Sequence, residues 1–169
     1  MAQMQNKQLT IASWNADGLK EKLYTETSFL SVYESKQFII DHKINIMINE
    51  TNFNQKTDLN FQGFKCYRKD QSPSATSGGV LILVSNHIDS QAIYIVSNLI
   101  KAVEATIGNY IIVEAYLRLC KNPEHSELEK ICKCGVKVLV MGVLNAKHKN
   151  WNCERANTSG KILSEYLNK

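Results

Sequence analysis

Between Phe64 and Leu117 the chain delivers five apolar runs in succession, with no helical period among them. They are Phe64 to Arg68, Gly79 to Val84, Gln91 to Val96, Lys101 to Ile107 and Ile111 to Leu117. Short β-branched runs bounded by turn residues read as strands. Strands that follow one another through short turns pair antiparallel, because a parallel pair needs a crossover of a dozen or more residues. The cluster Ser72-Pro73-Ser74-Ala75-Thr76-Ser77-Gly78 precedes the most apolar run, and Asn109-Tyr110 turns between the last two. This block excludes an all-helical fold and a purely parallel sheet.

Outside the block, strands alternate with helices. Leu9 to Trp14, Ile44 to Ile48 and Val136 to Met141 read as strands. Ser35 to Lys43 carries Phe38, Ile39 and Ile40 and reads as a helix. Asn122-Pro123 reads as a helix start, with Pro in the first turn; Leu128, Ile131 and Cys132 follow at helical spacing, and Gly135 is a stop. Ser159 to Leu167 presents Ile162, Leu163, Tyr166 and Leu167 on one face. The stretch from Leu23 to Glu34 fits neither period and is expected to be irregular. Together these elements predict an α+β fold, a layered α/β sandwich of two mostly antiparallel sheets flanked by helices. With 169 residues, two prolines and no linker-like run, a single domain over 1–169 is expected.

Hydrophobic residues make up 44% of the chain, enough for a substantial core. The net charge of +4 is compatible with a polyanionic partner without requiring one. The five cysteines are odd in number, and Cys132 and Cys134 are too close for a Cys-x-x-Cys pair, so reduced thiols are expected. The polar start Met1 to Gln8 lacks the apolar stretch of a secretory signal. No run approaches the ~18 apolar residues of a membrane span, so no membrane association is expected.

Three apolar strands end in the same manner. Ser13-Trp14-Asn15-Ala16-Asp17-Gly18-Leu19 puts Asn15 and Asp17 on one side of a strand end by two-residue alternation. Ile46-Met47-Ile48-Asn49-Glu50-Thr51 delivers a carboxylate, a hard oxygen ligand of the kind Mg²⁺ prefers. Val138 to Met141 runs through Gly142-Val143-Leu144-Asn145 into Lys147, His148 and Lys149, cations suited to phosphates. Singly, the first reads rather as an Asx turn that closes a strand. The second is a weak signal, because strand ends are commonly solvated and acidic. The third reads equally well as a solvated loop after a buried strand. Their joint occurrence favours a shared site.

As an ordered set these segments resemble the endonuclease/exonuclease/phosphatase family, in its apurinic/apyrimidinic-endonuclease branch. Tyr67-Arg68-Lys69-Asp70, Ser77-Gly78-Gly79-Val80 and Glu114-Ala115-Tyr116 resemble the middle of that domain. Met141 to Trp151 resembles its Gly-Asp-x-Asn-Ala-x-His segment. Asn152-Cys153 and Asn157 to Leu163 look like the nuclease domain of non-LTR retrotransposons. The resemblance implies a Mg²⁺-dependent nuclease that nicks target DNA, with Mn²⁺ as a substitute ion. It implies that Glu50 and Asn15 hold the metal and that Asn15, Asp17, Tyr116 and Asn145 are catalytic. Arg68, Lys147, His148 and Lys149 would contact DNA, and Trp151 would pack. It further implies an intracellular, nuclear location and a reverse transcriptase domain in a full-length parent protein.

Two departures bear on activity. Val143 stands where the family has the carboxylate that orients or deprotonates water, help worth ~10²–10⁴-fold. The family's later strands and final Asp-His pair have no counterpart before Lys169, which predicts a partial domain with the C-terminal part of the second sheet missing. A smaller departure is Leu117-Arg118-Leu119, where the family tends to place Pro after the tyrosine. Two alternatives accompany the impaired nuclease: an inactive DNA-binding remnant of the fold, and a phosphatase or phosphodiesterase of the same family.

Overall fold

The computed structural model describes residues 8–15, 37–51, 61–70, 78–93, 96–119, 121–133, 135 and 137–169. Within them eight strands form two four-stranded sheets. The first sheet holds β1 (Ile11–Asn15), β2 (Ile46–Thr51), β3 (Phe64–Lys69) and β4 (Gly79–Ser85) in the order β1-β2-β4-β3. The second holds β5 (Gln91–Ile93), β6 (Ile100–Ile107), β7 (Tyr110–Leu117) and β8 (Val138–Val143) in chain order. Each sheet has two antiparallel pairings and one parallel pairing, β1 with β2 and β7 with β8. The α+β sandwich expected from the sequence is the architecture observed.

Side-chain alternation sorts the core into three layers. Val80, Ile82 and Val84 of β4 meet Val103, Ala105, Ile107 and Ile112 of the second sheet between the sheets. Leu81 and Leu83 point to the other face, where Ile39, Ile44, Met47 and Phe61 cover them. Both faces of β4 are therefore buried, which is why it reads as an unbroken apolar run. The outer face of the second sheet packs Ile100, Val113, Ala115 and Leu117 against Leu128 and Ile131 of α1 (His125–Cys132) and Ile162 and Leu163 of α2 (Thr158–Leu167). Each fully buried Ile or Leu contributes about 1.5–3 kcal/mol.

Several boundaries differ from expectation. Helix α1 begins at His125 with Glu124 at its N-cap, two residues beyond Pro123. Asn122 instead accepts a hydrogen bond from the Ser159 hydroxyl at 3.3 Å, which ties the segment to α2. The β8 ladder continues past Met141 through Gly142 to Val143. Gly142 sits at φ 119°, and a Cβ there would run into the Ala115 carbonyl oxygen. Residues 37–41 are helical, and Lys43 at φ 49° turns the chain into β2. The stretch 23–34 lies outside the described residues. Among the described residues no helix is long and apolar enough to cross a membrane.

Candidate functional site at one rim of the sandwich

The strand registers bring the sequence motifs to one end of the molecule. In the first sheet Asn15 pairs with Glu50, Glu50 with Val80, and Val80 with Lys69. In the second, Lys101 pairs with Tyr116 and Tyr116 with Val143. Strands β1, β2, β3, β7 and β8 all reach this rim with their C-terminal ends. In open α/β sheets the carboxyl ends of strands are where ligands gather. The two sheets close on each other at Gly78, where a Cβ would lie 2.7 Å from a carbon of the Tyr116 ring. Gly78, at φ 105°, permits that approach. Tyr116 itself is buried, at 9% exposure, on the margin of the inter-sheet cluster.

Asn15 and Glu50 are register partners on adjacent parallel strands, about 4.8 Å apart. Asp17 lies outside the described residues. Among the described residues no three His, Cys, Asp or Glu side chains converge as a metal cage. Val143 packs its methyls against the inter-sheet cluster beside the strand that carries Tyr116. Asn145, at φ 47°, donates its side-chain amide to the Leu117 carbonyl at 2.7 Å, while its own carbonyl accepts from Asn157 at 2.8 Å.

The loop after β8 is organised around Asn157. Its side-chain oxygen accepts from the backbone N–H groups of Lys147 at 2.9 Å and Gly160 at 2.8 Å, capping α2. The loop leaves Lys147 and Lys149 exposed. The His148 ring stacks on Trp151 with centroids 5.1 Å apart, and its Nδ1 accepts from the Asn150 N–H at 3.2 Å. The Trp151 indole donates to the Ala146 carbonyl at 2.9 Å. Arg68 faces away from the inter-sheet layer, paired in register with Leu81, and its guanidinium lies 3.4 Å from the Asp70 carboxylate. Part of its charge is thus compensated.

Sequence reasoning missed a cationic pocket on the same rim. Lys69, Lys101, Arg118 and Lys121 line a cavity of about 270 Å³ together with Tyr116, Gly78 and residues 97–100. Burial lowers the Lys101 pKa below the ordinary lysine value, and the neighbouring charges of Arg118 and Lys69 lower it further. Its ammonium donates to the Asp70 carbonyl at 3.2 Å. The wall at 97–100 is fixed from below by Glu127 of α1. That carboxylate accepts from the Ser97 hydroxyl, from the Asn98 N–H at 3.1 Å and from the Leu99 N–H at 3.5 Å. The sequence held one signal for this pocket: β6 and β7 pair across a tight turn at Gly108-Asn109, which sets Lys101 opposite Tyr116.

Several solved structures share the arrangement of the two sheets. The endonuclease domain of TRAS1, a telomere-specific non-LTR retrotransposon, superposes with a TM-score of 0.65 at 18% identity, over 95% of this chain and 71% of that one. The AP endonuclease LMAP from Leishmania major gives 0.64 at 10% identity, over 95% and 66% of the respective chains. The chain has the endonuclease/exonuclease/phosphatase fold. TDP2 from D. rerio, in complex with a single-strand DNA product, gives 0.52 at 14% identity, over 88% and 66%. No family model and no curated protein sequence matches the chain.

Proposed function

We propose that this chain is a DNA-processing domain of the retrotransposon-endonuclease type, built to nick target DNA with Mg²⁺ and slowed at its water-activating position. The observation that carries the reading is the register Asn15–Glu50 in one sheet facing Tyr116–Val143 in the other, at a single rim. Asn15 and Glu50 offer amide and carboxylate oxygens, a donor set that suits Mg²⁺, with Mn²⁺ as a substitute. A cation bound there supplies neutralisation of the scissile phosphate and of the leaving oxygen. Asp17, two residues after Asn15 in the sequence, is assigned a catalytic role with it.

The remaining roles fall to the second sheet. The Tyr116 hydroxyl donates to a phosphate oxygen. Asn145 holds the loop after β8 in place through Leu117 and so presents Lys147, His148 and Lys149 to the DNA backbone. Arg68, held beside Asp70, is a weaker phosphate contact. Val143 has no lone pair with which to orient water or accept its proton, so a ~10²–10⁴-fold loss in turnover is expected. A parent protein carrying a reverse transcriptase, acting on nuclear DNA, fits the likeness to the TRAS1 domain.

The packing of Val143 against the inter-sheet cluster favours a second reading, a DNA-binding domain without turnover. Nicking of supercoiled plasmid with Mg²⁺ separates the two. The native chain should cut slowly and lose all cutting in EDTA, and Val143→Asp should cut at least about tenfold faster. A folded Val143→Asp chain that cuts no faster refutes the assignment of position 143. Hydrolysis of small phosphomonoesters in place of DNA would instead support the phosphatase branch of the family.

A further inference from the structure

We propose that the pocket between Lys69, Lys101, Arg118 and Lys121 is a phosphate subsite, which holds a DNA backbone phosphate next to the one presented to Tyr116. The inference rests on the DNA-processing reading above and adds a second anchoring point to it. Its four cations come from separate places in the chain: the end of β3, the start of β6 and the segment that follows β7. Lys69 and Lys101 approach from opposite sheets, since Lys69 pairs with Val80 and Lys101 with Tyr116. The fold therefore gathers these charges, and no local sequence run does so.

Gathering like charges around a half-buried cavity opposes folding unless an anion offsets it. Arg118 and Lys69 both disfavour the protonated form of Lys101, and Asp70 only partly counters them. The Asp70 carboxylate also lies 3.4 Å from the Arg68 guanidinium, so its charge is shared between Arg68 and Lys101. A cavity of about 270 Å³ has room for a phosphate group with its waters. Recognition must come from the side chains, because the nearby Asn98 and Leu99 amides are already donated to Glu127. Glu127 thereby holds the wall of the pocket rigid before any ligand arrives. Lys101 and Tyr116 are register partners and both line the cavity, so an anion held by the cations lies beside the phosphate at Tyr116.

The test uses the full chain and a fluorescein-labelled DNA duplex, with anisotropy titrations at several NaCl concentrations between about 50 and 200 mM. Each phosphate contact contributes about 0.9 to the slope of log K against log salt. Lys101→Gln and Arg118→Gln combined should flatten the slope by about 1, the loss of one phosphate contact, and weaken binding at low salt. Lys133→Gln combined with Lys161→Gln, an equal loss of two charges at exposed positions outside the pocket, serves as the control. Circular dichroism confirms that each variant is folded. An unchanged slope in the double variant, or an equal change in the control, overturns the subsite and leaves the DNA-processing reading intact. If the native chain binds no duplex, that reading fails instead, and the DNA assignment of the pocket fails with it. Titration with inorganic orthophosphate then reports whether the cavity binds small phosphates. A thermal shift in the native chain that the double variant lacks would assign the pocket to small phosphates instead of DNA.

Discussion

Glu127 gives the sharpest quantitative expectation, because a single carboxylate holds a whole loop. It is 5% exposed, lies 2.7 Å from the Lys130 ammonium, and accepts from Ser97, Asn98 and Leu99. The hydrogen bond from Lys130, then that from Ser97, hold its pKa down at about 2 against an ordinary 4.5, overcoming the opposing effect of burial. At about 1.4 kcal/mol per unit, this difference sets a ceiling of roughly 3 kcal/mol on the stability that ionised Glu127 contributes. Lys130 is 44% exposed on its side chain, so solvent screens its share and about 2 kcal/mol is the working figure. Because the folded-state pKa is depressed, this stability is fully present above about pH 5 and is lost as the pH falls toward 2. Urea denaturation of Glu127→Gln should therefore show a deficit of about 2 kcal/mol at pH 7 that shrinks below about 1 kcal/mol near pH 2.5. The other carboxylates titrate in both proteins and cancel in the difference. A deficit of the same size at both pH values would refute the charge argument and leave only a packing effect.

Two further substitutions probe how the rim is held. Gly142→Ala forces a side chain onto φ 119° and into the Ala115 carbonyl, and should lower stability by about 3 kcal/mol in urea denaturation. A loss below about 1 kcal/mol would show that the end of β8 shifts freely. Asn157→Ala removes the α2 cap and two ties to the loop after β8, about 2 kcal/mol in all, and should speed hydrogen exchange at the Lys147 and Gly160 amides. Unchanged exchange at Lys147 would refute the organising role of Asn157.

The sheets were legible because their signals are local. Ile82 and its neighbours in β4 are apolar on both faces, so that run announces a central strand whatever surrounds it. The three strand-end motifs were legible for the same reason, and register then brought them together. What escaped was tertiary in origin. The start of α1 was misplaced because Pro123 mimics a helix start, whereas Asn122 is held by Ser159, 37 residues away. The buried carboxylate of Glu127 looks like an ordinary first-turn acid until Ser97 is placed above it. Lys69, Lys101, Arg118 and Lys121 are scattered in sequence, and only the closure of one sheet on the other makes a pocket of them. Nothing in a linear reading shows the Arg68 guanidinium beside Asp70.

The convergence of strand ends on one rim has a consequence for how such a chain changes over time. Val143 and Asn145, two of the positions proposed for chemistry, are only partly buried, so a change there strands no deeply buried charge. Val143 illustrates the point: its methyls extend the inter-sheet cluster where a carboxylate would have had to stay solvated. The proposed chemistry can therefore be erased while the sandwich persists, as the fold itself is shared at 10–18% identity with the structures it superposes on. A melting curve reports on packing and is blind to the chemistry proposed at the rim. Only a readout that passes through a phosphate separates a working copy from a silent one.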